Sequence, residues 1–298
     1  IKNEHFEPAL KEAMRLQRVR IEEITASPDR PDFPNTIEAL DGSGSLLERC
    51  QAVFENLTEA ETSNELQEMA KRVAPLQAAH RDAILLNDKL FARIQALWNS
   101  RSSLALAPDQ ATLLDRLYKD FVRGGALLDD SQKERLRAVN SELATLSVVY
   151  GDNVLKEMNQ FKLVIEKRED LAGLPEDLVA CAAATAAEAG LRGKWVFTLH
   201  FPSIWPFLTY SENRDLRRQL FTAYISRCDH NNATDNKAVA SRMALLRAEK
   251  ARMLGYRTWA DFVLEEEMAG NPPAVFGLLN RLWDPAKGMA DRELQAMQ

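Results

Sequence analysis

Apolar side chains recur every three or four residues along most of this 298-residue chain. That spacing places them on one face of an α-helix. Pro28 and Pro31 follow the first such stretch and indicate that the helix ends before them. The pattern predicts a succession of helices, packed antiparallel so that their apolar stripes bury one another. The first stripe consists of Phe6, Leu10, Met14, Ile21 and Ile24.

Capping signals mark the starts of several predicted helices. Three pairs of polar side chains have the spacing of a capping box, in which each side chain binds the backbone N–H of the other residue. These pairs are Asn35 with Glu38, Asn64 with Gln67, and Ser131 with Glu134. Gly42 and Gly44 favour a kink in the second helix, because each glycine costs a helix about 1 kcal/mol relative to alanine. Further helices are predicted over 87–100, from Pro108 to just before Gly124, and over 131–159, 212–226 and 234–254.

Two short segments depart from the helical pattern. Residues 162–166 and 195–199 are rich in β-branched or aromatic side chains, which is typical of strands. Between them, 175–189 predicts a helix closed by Gly190. We therefore expect a mainly α fold with one strand–helix–strand element, in which the two strands pair. The predicted organisation is a helical bundle over 1–160, this element over 161–200, and further helices over 201–298.

A last helix is predicted from Asn271 and Pro272 toward Gln298, with a break favoured at Pro285. Its apolar face carries Val275, Leu278, Leu279 and Leu282. A helical pattern that reaches the last residue is expected of a chain that is part of a longer protein.

Composition narrows the functional class. The chain is 46% hydrophobic and 28% charged, with a net charge of −6 and a pI of about 5.5. An acidic balance without a basic block argues against binding to nucleic acid or to a membrane surface. No apolar run approaches the roughly 20 residues of a membrane span. Three scattered cysteines favour a reducing compartment. A cytoplasmic location is expected, or a periplasmic or secreted one if a signal peptide preceded Ile1.

The histidines and cysteines do not have the spacing of a zinc site. None of the four histidines precedes a glutamate, and no two of them lie four residues apart. The cysteines show no Cys-x-x-Cys spacing. The residues are His5, His80, His200 and His230, with Cys50, Cys181 and Cys228. We therefore predict no zinc ligand and no catalytic residue within this chain, and the sequence does not identify substrate-binding residues.

Other clusters of polar residues have ordinary structural explanations. The adjacent carboxylates at 129–130 and 265–267 point to different faces of a helix, so they indicate a solvated surface or the preference of carboxylates for a helix start. The acidic residues around His230 lie in a polar segment that predicts a loop. Gly124-Gly125 lacks the Lys-Ser/Thr of a phosphate loop, and Ser203 lacks a nucleophile elbow. One aromatic cluster predicts core or interface packing, with substrate contact as an alternative. It contains Phe201, Trp205, Phe207 and Tyr210.

Short motifs along nearly the whole chain resemble the thimet-oligopeptidase-like zinc metallopeptidases. The densest run lies before the family's catalytic core and comprises Leu208–Arg218, Ala223–Arg227, Leu246–Tyr256, Trp259–Phe262 and Glu267–Ala269. Ile1–Leu10, Phe33–Leu40 and Val53–Gln67 resemble the family's opening segments. Leu86–Ile94, Leu171–Leu174 and Gly193–Val196 are similar to the dipeptidyl carboxypeptidase branch, also called peptidyl-dipeptidase.

The resemblance implies a mostly helical enzyme with two lobes and a deep channel between them. This chain would be the N-terminal, non-zinc lobe, which restricts substrates to short peptides from which C-terminal dipeptides are released. Zinc would belong to a His-Glu-x-x-His helix in the missing catalytic lobe, the expected partner. Alone, the chain would bind no metal and be inactive. The alternatives are a stand-alone helical scaffold or interaction module, and an independent enzyme with an unrecognised site.

Overall fold

The computed structural model describes all residues from Ile1 to Gln298 and consists mainly of α-helices, as predicted. In chain order the helices are α1 (Phe6–Ala26), α2 (Ala39–Asp41), α3 (Ser45–Ala60), α4 (Asn64–Leu85), α5 (Asp88–Asn99), α6 (Pro108–Gly124), α7 (Asp130–Gln160), α8 (Glu176–Glu188), α9 (Phe201–Tyr210), α10 (Arg214–Ile225), α11 (Lys237–Met253), α12 (Trp259–Leu264) and α13 (Pro272–Met297). No helix has the length and apolar character that crossing a bilayer requires.

The sheet has two strands, β1 (Leu163–Ile165) and β2 (Trp195–Phe197), paired antiparallel. Leu163 lies opposite Phe197, and Ile165 lies opposite Trp195. Side chains alternate along β1, so that Leu163 and Ile165 are buried and Val164 is not. The predicted strand–helix–strand element, with α8 between its strands, is therefore confirmed.

The chain forms two compact units, each with its own core. The first unit contains Ile1–Ala144 and Ala244–Gln298, and the second contains Thr145–Met243. This division groups residues by proximity in space, whereas the predicted segments 1–160, 161–200 and 201–298 followed the sequence. Those three segments stay a prediction about domain organisation.

The first unit has two apolar clusters, and the stripe of α1 contributes to both. Its beginning, with Leu10 and Met14, packs among residues of α3 and α4 such as Phe54 and Val73. Its end, with Ile21 and Ile24, belongs to the second cluster. That cluster is formed mainly by α5 and α6 and includes Leu90, Ile94, Leu114 and Phe121. The stripe predicted from the sequence thus connects two parts of one core.

The second unit is centred on β2 and on the helices that follow it. Phe197 packs against Phe207 with ring centroids 4.6 Å apart, and both side chains are fully buried. Leu199, Ile204 and Leu220 complete the centre of this core. Large aliphatic and aromatic side chains of this kind each stabilise a fold by about 1.5–3 kcal/mol when fully buried.

Three of the predicted helix starts are shifted, because the side chain that accepts the first free N–H lies earlier in the sequence. At the second helix the cap is Asp32 rather than Asn35. Asp32 Oδ1 accepts from the backbone N–H of Asn35, and Asn35 Oδ1 accepts from the backbone N–H of Asp32. The helical turns there begin with a π-helical stretch at Phe33–Glu38. The other actual caps are Ser63, which accepts from Leu66, and Asp129, which forms a reciprocal pair with Gln132.

Glycines shape two helix ends. The predicted kink is present as a 3₁₀ turn at Gly42–Gly44, between α2 and α3. Gly125 closes α6 with φ +101°, a left-handed conformation, while Ala126 N–H donates to Phe121 O at 3.0 Å. A Cβ at Gly125 would lie 2.5 Å from Leu136 Cδ2, so no larger residue fits without rearrangement.

Two helices were not predicted, and one predicted break is absent. Helix α9 contains the aromatic cluster and begins with Pro202 in its first turn, a position where proline is favourable. The short α12 is capped by Thr258. The prediction of a break at Pro285 is wrong, because α13 continues through this residue. Proline removes one backbone hydrogen bond, and here the helical turns on both sides remain intact.

Candidate functional site

A cavity with a volume of about 800 Å³ lies among the helices of the first unit. Residues of α1, α3, α4, α6, α7, α11 and α12 line it. This volume falls in the range of roughly 300–1,000 Å³ that is common for small-molecule sites. Its wall combines apolar side chains, among them Leu47, Leu143 and Phe262, with charged groups from several helices.

Three charged or polar side chains from three helices form a chain of hydrogen bonds in the cavity wall. Asn140 Nδ2 donates to Asp82 Oδ1 at 2.7 Å, and Lys250 Nζ donates to Asn140 Oδ1 at 2.7 Å. Burial raises the pKa of Asp82 and lowers the pKa of Lys250, to which the charge of Arg81 also contributes. The Asn140 amide thus lies between a carboxylate and an ammonium that both lose hydration in the fold.

Arg123 of α6 fixes the segment around α12, which forms another part of the wall. Its guanidinium donates to the backbone carbonyl of Phe262 at 2.9 Å and lies 4.4 Å from the centre of the Phe262 ring. It also pairs with Glu266 at 3.1 Å and with Glu265. The carboxylate run at 265–267, expected to be simply solvated, therefore supplies two partners for a cation that is itself mostly buried.

His80 of α4 contributes a neutral imidazole to the cavity. Its Nε2 lies 2.7 Å from Gln17 Oε1, an oxygen that can only accept, so Nε2 carries the proton. Burial lowers the pKa of His80, and Arg18 adds to this effect. His80 Nδ1 is consequently a free acceptor, and no protein atom bonds to it. Gln77 Nε2, one turn earlier on the same helix, is a buried donor that likewise has no protein partner.

Glu48 of α3 lines the cavity without forming a hydrogen bond or an ion pair. The same holds for two groups of opposite sign, Arg81 of α4 and Asp120 of α6. Burial raises the pKa of Asp120, and the neighbouring Glu266 raises it further, while Arg81 is among the cations that lower it. The two charges are therefore close enough to interact, but they do not contact each other.

The acidic residues around His230, in the second unit, do not orient this histidine. His230 Nε2 instead lies 2.8 Å from Glu157 Oε1, while Asp229 and Asp235 both bond to Lys237. The hydrogen bond from Lys237 is the main reason that the pKa of Asp235 is lowered to about 2. The arrangement is that of a loop tied together by ion pairs.

Cys228 in the same loop lacks the properties of a nucleophile. Its backbone N–H donates to Glu157 Oε2 at 2.7 Å, and its φ of 59° is left-handed. Burial raises the pKa of the thiol to about 11, and the contact with Glu157 adds to the shift. A thiol with this pKa remains protonated near neutral pH, and the protonated form is a poor nucleophile.

The aromatic cluster divides between core and surface. Phe207 is fully buried, whereas Phe201, Trp205 and Tyr210 are 66%, 41% and 53% exposed. Trp205 packs edge-on against Tyr224 with centroids 5.6 Å apart. Ser203 caps the preceding turn by accepting from the N–H of Thr198 at 2.9 Å, which is a structural role.

Comparison with known proteins identifies the family. Residues 207–298 match the model of Peptidase family M3. Over 298 residues the chain is 35% identical to the dipeptidyl carboxypeptidase of Escherichia coli (strain K12), which covers 100% of this chain. It is also 30% identical over 302 residues to oligopeptidase A of Haemophilus influenzae, again across 100% of the chain. The chain belongs to peptidase family M3. The resemblance seen in the sequence motifs is therefore confirmed.

The M3 chain spans less than half the length of these curated relatives. It covers 44% of the dipeptidyl carboxypeptidase and 44% of oligopeptidase A. A more distant relative, saccharolysin of Saccharomyces cerevisiae, is 24% identical over 216 residues, which are 72% of this chain and 29% of the relative.

The side chains of the M3 chain do not fit a zinc site. No three His, Cys, Asp or Glu side chains come together in a way that could hold a metal ion. His80 and His230, the two histidines in the clusters described above, use Nε2 to contact Gln17 and Glu157. Zinc needs three or four such donors around one point. No step of chemistry can be assigned to a metal held by these residues.

The sequence pattern did not identify the cavity residues of the M3 chain. Asn140, Lys250 and Asp120 come from three helices, and only packing brings them together. One signal was present in α4, because His80 continues the buried face of Leu66 and Val73 at seven-residue spacing. A polar side chain at an apolar position of a helix face indicates a buried polar site.

Proposed function

We propose that this chain is the N-terminal, non-catalytic part of a zinc peptidase that hydrolyses short peptides. The observation that supports the proposal is the identity of 35% with a dipeptidyl carboxypeptidase along the entire chain. The lack of a His-Glu-x-x-His sequence supports placing the metal outside these 298 residues. The catalytic part would then be the partner of this chain, and zinc would be a cofactor of the whole protein.

We further propose that the whole protein releases dipeptides from the carboxyl ends of its substrates. The identity is higher with the dipeptidyl carboxypeptidase, at 35%, than with oligopeptidase A, at 30%. The acidic net charge of −6 supports a protein that acts on peptides rather than on nucleic acid or membranes. The three scattered cysteines support a cytoplasmic location.

In this proposal, the chain contributes to catalysis by binding and orientation. Helical walls exclude folded proteins and hold a flexible peptide in a limited set of positions. Such positioning lowers the entropic part of the barrier, because the peptide loses its freedom before the reaction begins. No residue of this chain is assigned a role in proton transfer or in bond cleavage.

The proposal is tested by comparing the 298-residue chain with the complete protein encoded by its gene. Each is incubated with an N-blocked tetrapeptide, and the products are identified by mass spectrometry. We expect the complete protein to release the C-terminal dipeptide, to lose activity with a chelator and to regain it with zinc. The chain alone is expected to be inactive and metal-free. Chelator-sensitive cleavage by the chain alone would refute its non-catalytic role, and release of other products would refute the dipeptide specificity.

A further inference from the structure

Lys250 of α11 places a primary amine in the wall of the cavity in the first unit. Its Nζ donates one hydrogen bond, to the neutral oxygen Oδ1 of Asn140 at 2.7 Å. No carboxylate oxygen lies within 4 Å of this nitrogen, so the ammonium has no ion-pair partner. The amine of Lys250 is therefore held in the cavity by a neutral group alone.

The contrast with Lys133 shows why this arrangement favours the neutral amine. Lys133 is only 4% exposed, but its ammonium pairs with the carboxylate of Asp88. For Lys250, burial lowers the pKa and the charge of Arg81 lowers it further, while Asp82 opposes these effects. Lys250 thus carries more neutral amine at a given pH than an exposed lysine does. The neutral amine is the form that attacks a carbonyl carbon.

A cation without a partner lines the same cavity. Arg81 of α4 forms no hydrogen bond or ion pair, and its effect on the pKa of Lys250 shows that its charge lies near the amine. Glu48 and Asp120 also line the cavity, but neither forms an ion pair with this guanidinium. A guanidinium binds a carboxylate or a phosphate through two parallel hydrogen bonds. The wall therefore combines a nucleophile with a group that can hold an anion.

We propose that Lys250 is a site of covalent modification, at which a small anionic aldehyde forms an imine. The lone pair of Nζ attacks the aldehyde carbon, and a C–N bond forms as the carbonyl bond opens. The oxygen then leaves as water with the two protons of the nitrogen, and a C=N bond remains. Neither an oxidant nor a reductant is consumed. The anion of the aldehyde, a carboxylate or a phosphate, binds to Arg81.

The remainder of the wall suits such a molecule. The ring centre of Phe262 lies 5.9 Å from Lys250 Nζ and offers apolar contact to the body of the aldehyde. The volume of about 800 Å³ lies within the range that small-molecule sites usually have. This modification is separate from the proposed peptidase activity, because it requires neither zinc nor cleavage.

The experiment compares the rate of labelling at each lysine of the 298-residue chain. The chain is incubated with pyridoxal phosphate, with pyridoxal, which lacks the anion, or with glyoxylate, whose anion is a carboxylate. Borohydride then reduces each imine to a stable amine, and the labelled lysines are identified by mass spectrometry after digestion. Lys119, which is exposed on α6, serves as the reference within the same chain.

We expect Lys250 to be labelled faster than Lys119 by all three aldehydes, and Lys133 to remain unlabelled. The ratio of the rates with pyridoxal phosphate and pyridoxal should be at least about tenfold higher at Lys250 than at Lys119, a factor that one hydrogen bond to a charged group supplies. The rates with glyoxylate and pyridoxal phosphate, each divided by the rate at Lys119, show which anion the site prefers.

Two variants test the roles of the amine and the guanidinium. Lys250→Arg retains the positive charge and should abolish labelling at this position, whereas Lys119→Arg should leave labelling of Lys250 unchanged. Arg81→Gln should lower the ratio between pyridoxal phosphate and pyridoxal at Lys250 to that of an exposed lysine. This ratio does not depend on the pKa of the amine, because both aldehydes react with the same nitrogen. Arg72→Gln, on α4 outside the cavity, should leave it unchanged.

The proposal fails if Lys250 is labelled no faster than Lys119, which would mean that only surface lysines react. It also fails if the phosphate gives no advantage at Lys250, or if Arg81→Gln leaves that advantage intact. The comparison between Lys250 and Lys119 uses the unmodified chain, so it decides even if a variant does not fold. Loss of the peptidase activity proposed above would not change any of these outcomes.

Discussion

His80 illustrates how packing sets the charge of a single side chain. Only 4% of the residue is exposed, and the one hydrogen bond of its side chain joins Nε2 to the side-chain oxygen Oε1 of Gln17. Burial lowers its pKa, so the folded chain keeps the imidazole neutral at a pH where the unfolded chain binds a proton. Protonation of the His80 imidazole therefore links the folding stability of the chain to pH.

The chain should therefore lose stability on acidification near neutral pH. Above the unfolded pKa of about 6.5, both states are neutral at His80 and stability is unaffected. As the pH falls from there toward the lowered folded pKa, the unfolded state takes up a proton and is favoured by at most about 1.4 kcal/mol per pH unit. Replacing His80 with Gln should flatten the profile of unfolding free energy between pH 7 and 5, measured by urea denaturation.

The control for this experiment is His5→Gln, which removes a histidine exposed at the surface. A slope that remains unchanged in His80→Gln would show that another group is responsible. Because glutamine retains a donor toward Gln17, the variant changes titration more than it changes packing.

The start of a helix can depend on a contact made by a residue one to three positions before the strongest local signal. At α4 the sequence contains Ser63, Asn64 and Gln67, and two of these residue types are good caps. Ser63 has extended backbone dihedral angles, and its side chain accepts from Leu66 N–H at 3.2 Å. Asn64 is already helical. A cap requires a residue just outside the helix, so the backbone conformation decides between neighbouring candidates.

Substitution at these two positions distinguishes their roles. Ser63→Ala should lower the free energy of unfolding by about 1 kcal/mol, since the first turn of α4 loses its side-chain acceptor. Asn64→Ala should have little effect or stabilise slightly, because alanine has the higher helix propensity. Denaturant midpoints measured under identical conditions give both values. A larger loss for Asn64→Ala would favour the original assignment of the helix start.

Regular elements could be predicted from the sequence, and convergent side chains could not. The apolar stripe predicted α1, and the β-branched and aromatic composition of two short segments predicted the strand pair, because each signal depends on neighbours in the chain. Helix α9 was missed since its aromatic density obscured its periodicity, and Phe207 alone of that group is buried deeply. The pairing of Arg123 with Glu265 and Glu266 joins residues about 140 positions apart. No local pattern contains that information.

On the scale of the whole molecule, α13 has an apolar face without cover. None of its residues is buried, and Leu282 and Trp283 are 59% and 66% exposed. Phe276, Leu279 and Leu294 are also at least half exposed. Contiguous apolar surface of this kind is unusual for a monomer and tends to be buried by association. We therefore predict that the segment from Asn271 to Gln298 is either mobile or covered by a neighbouring copy of the chain.

Hydrogen exchange as a function of concentration tests this expectation. In dilute solution the amides of α13 should exchange faster than those of α5, whose Leu90 and Ile94 are fully buried. At high concentration, protection of α13 should rise as copies associate. The double substitution Leu282→Gln and Trp283→Gln should reduce association in light scattering. The control Leu127→Gln, at a separate exposed leucine, should not. Strong protection of α13 in a dilute monomer would contradict the prediction.

The left-handed turn at Gly125 has a consequence for how this chain can vary. Any codon change that replaces this glycine inserts a side chain into Leu136, and a β-carbon is also strained at φ +101°. Gly42, by contrast, has a φ of −73° and no atom within 4 Å of an added Cβ. In a library of all single amino-acid replacements selected for folded protein, Gly125 should be almost invariant and Gly42 should accept alanine. Of these two glycines, only Gly125 should restrict which amino-acid substitutions the chain tolerates.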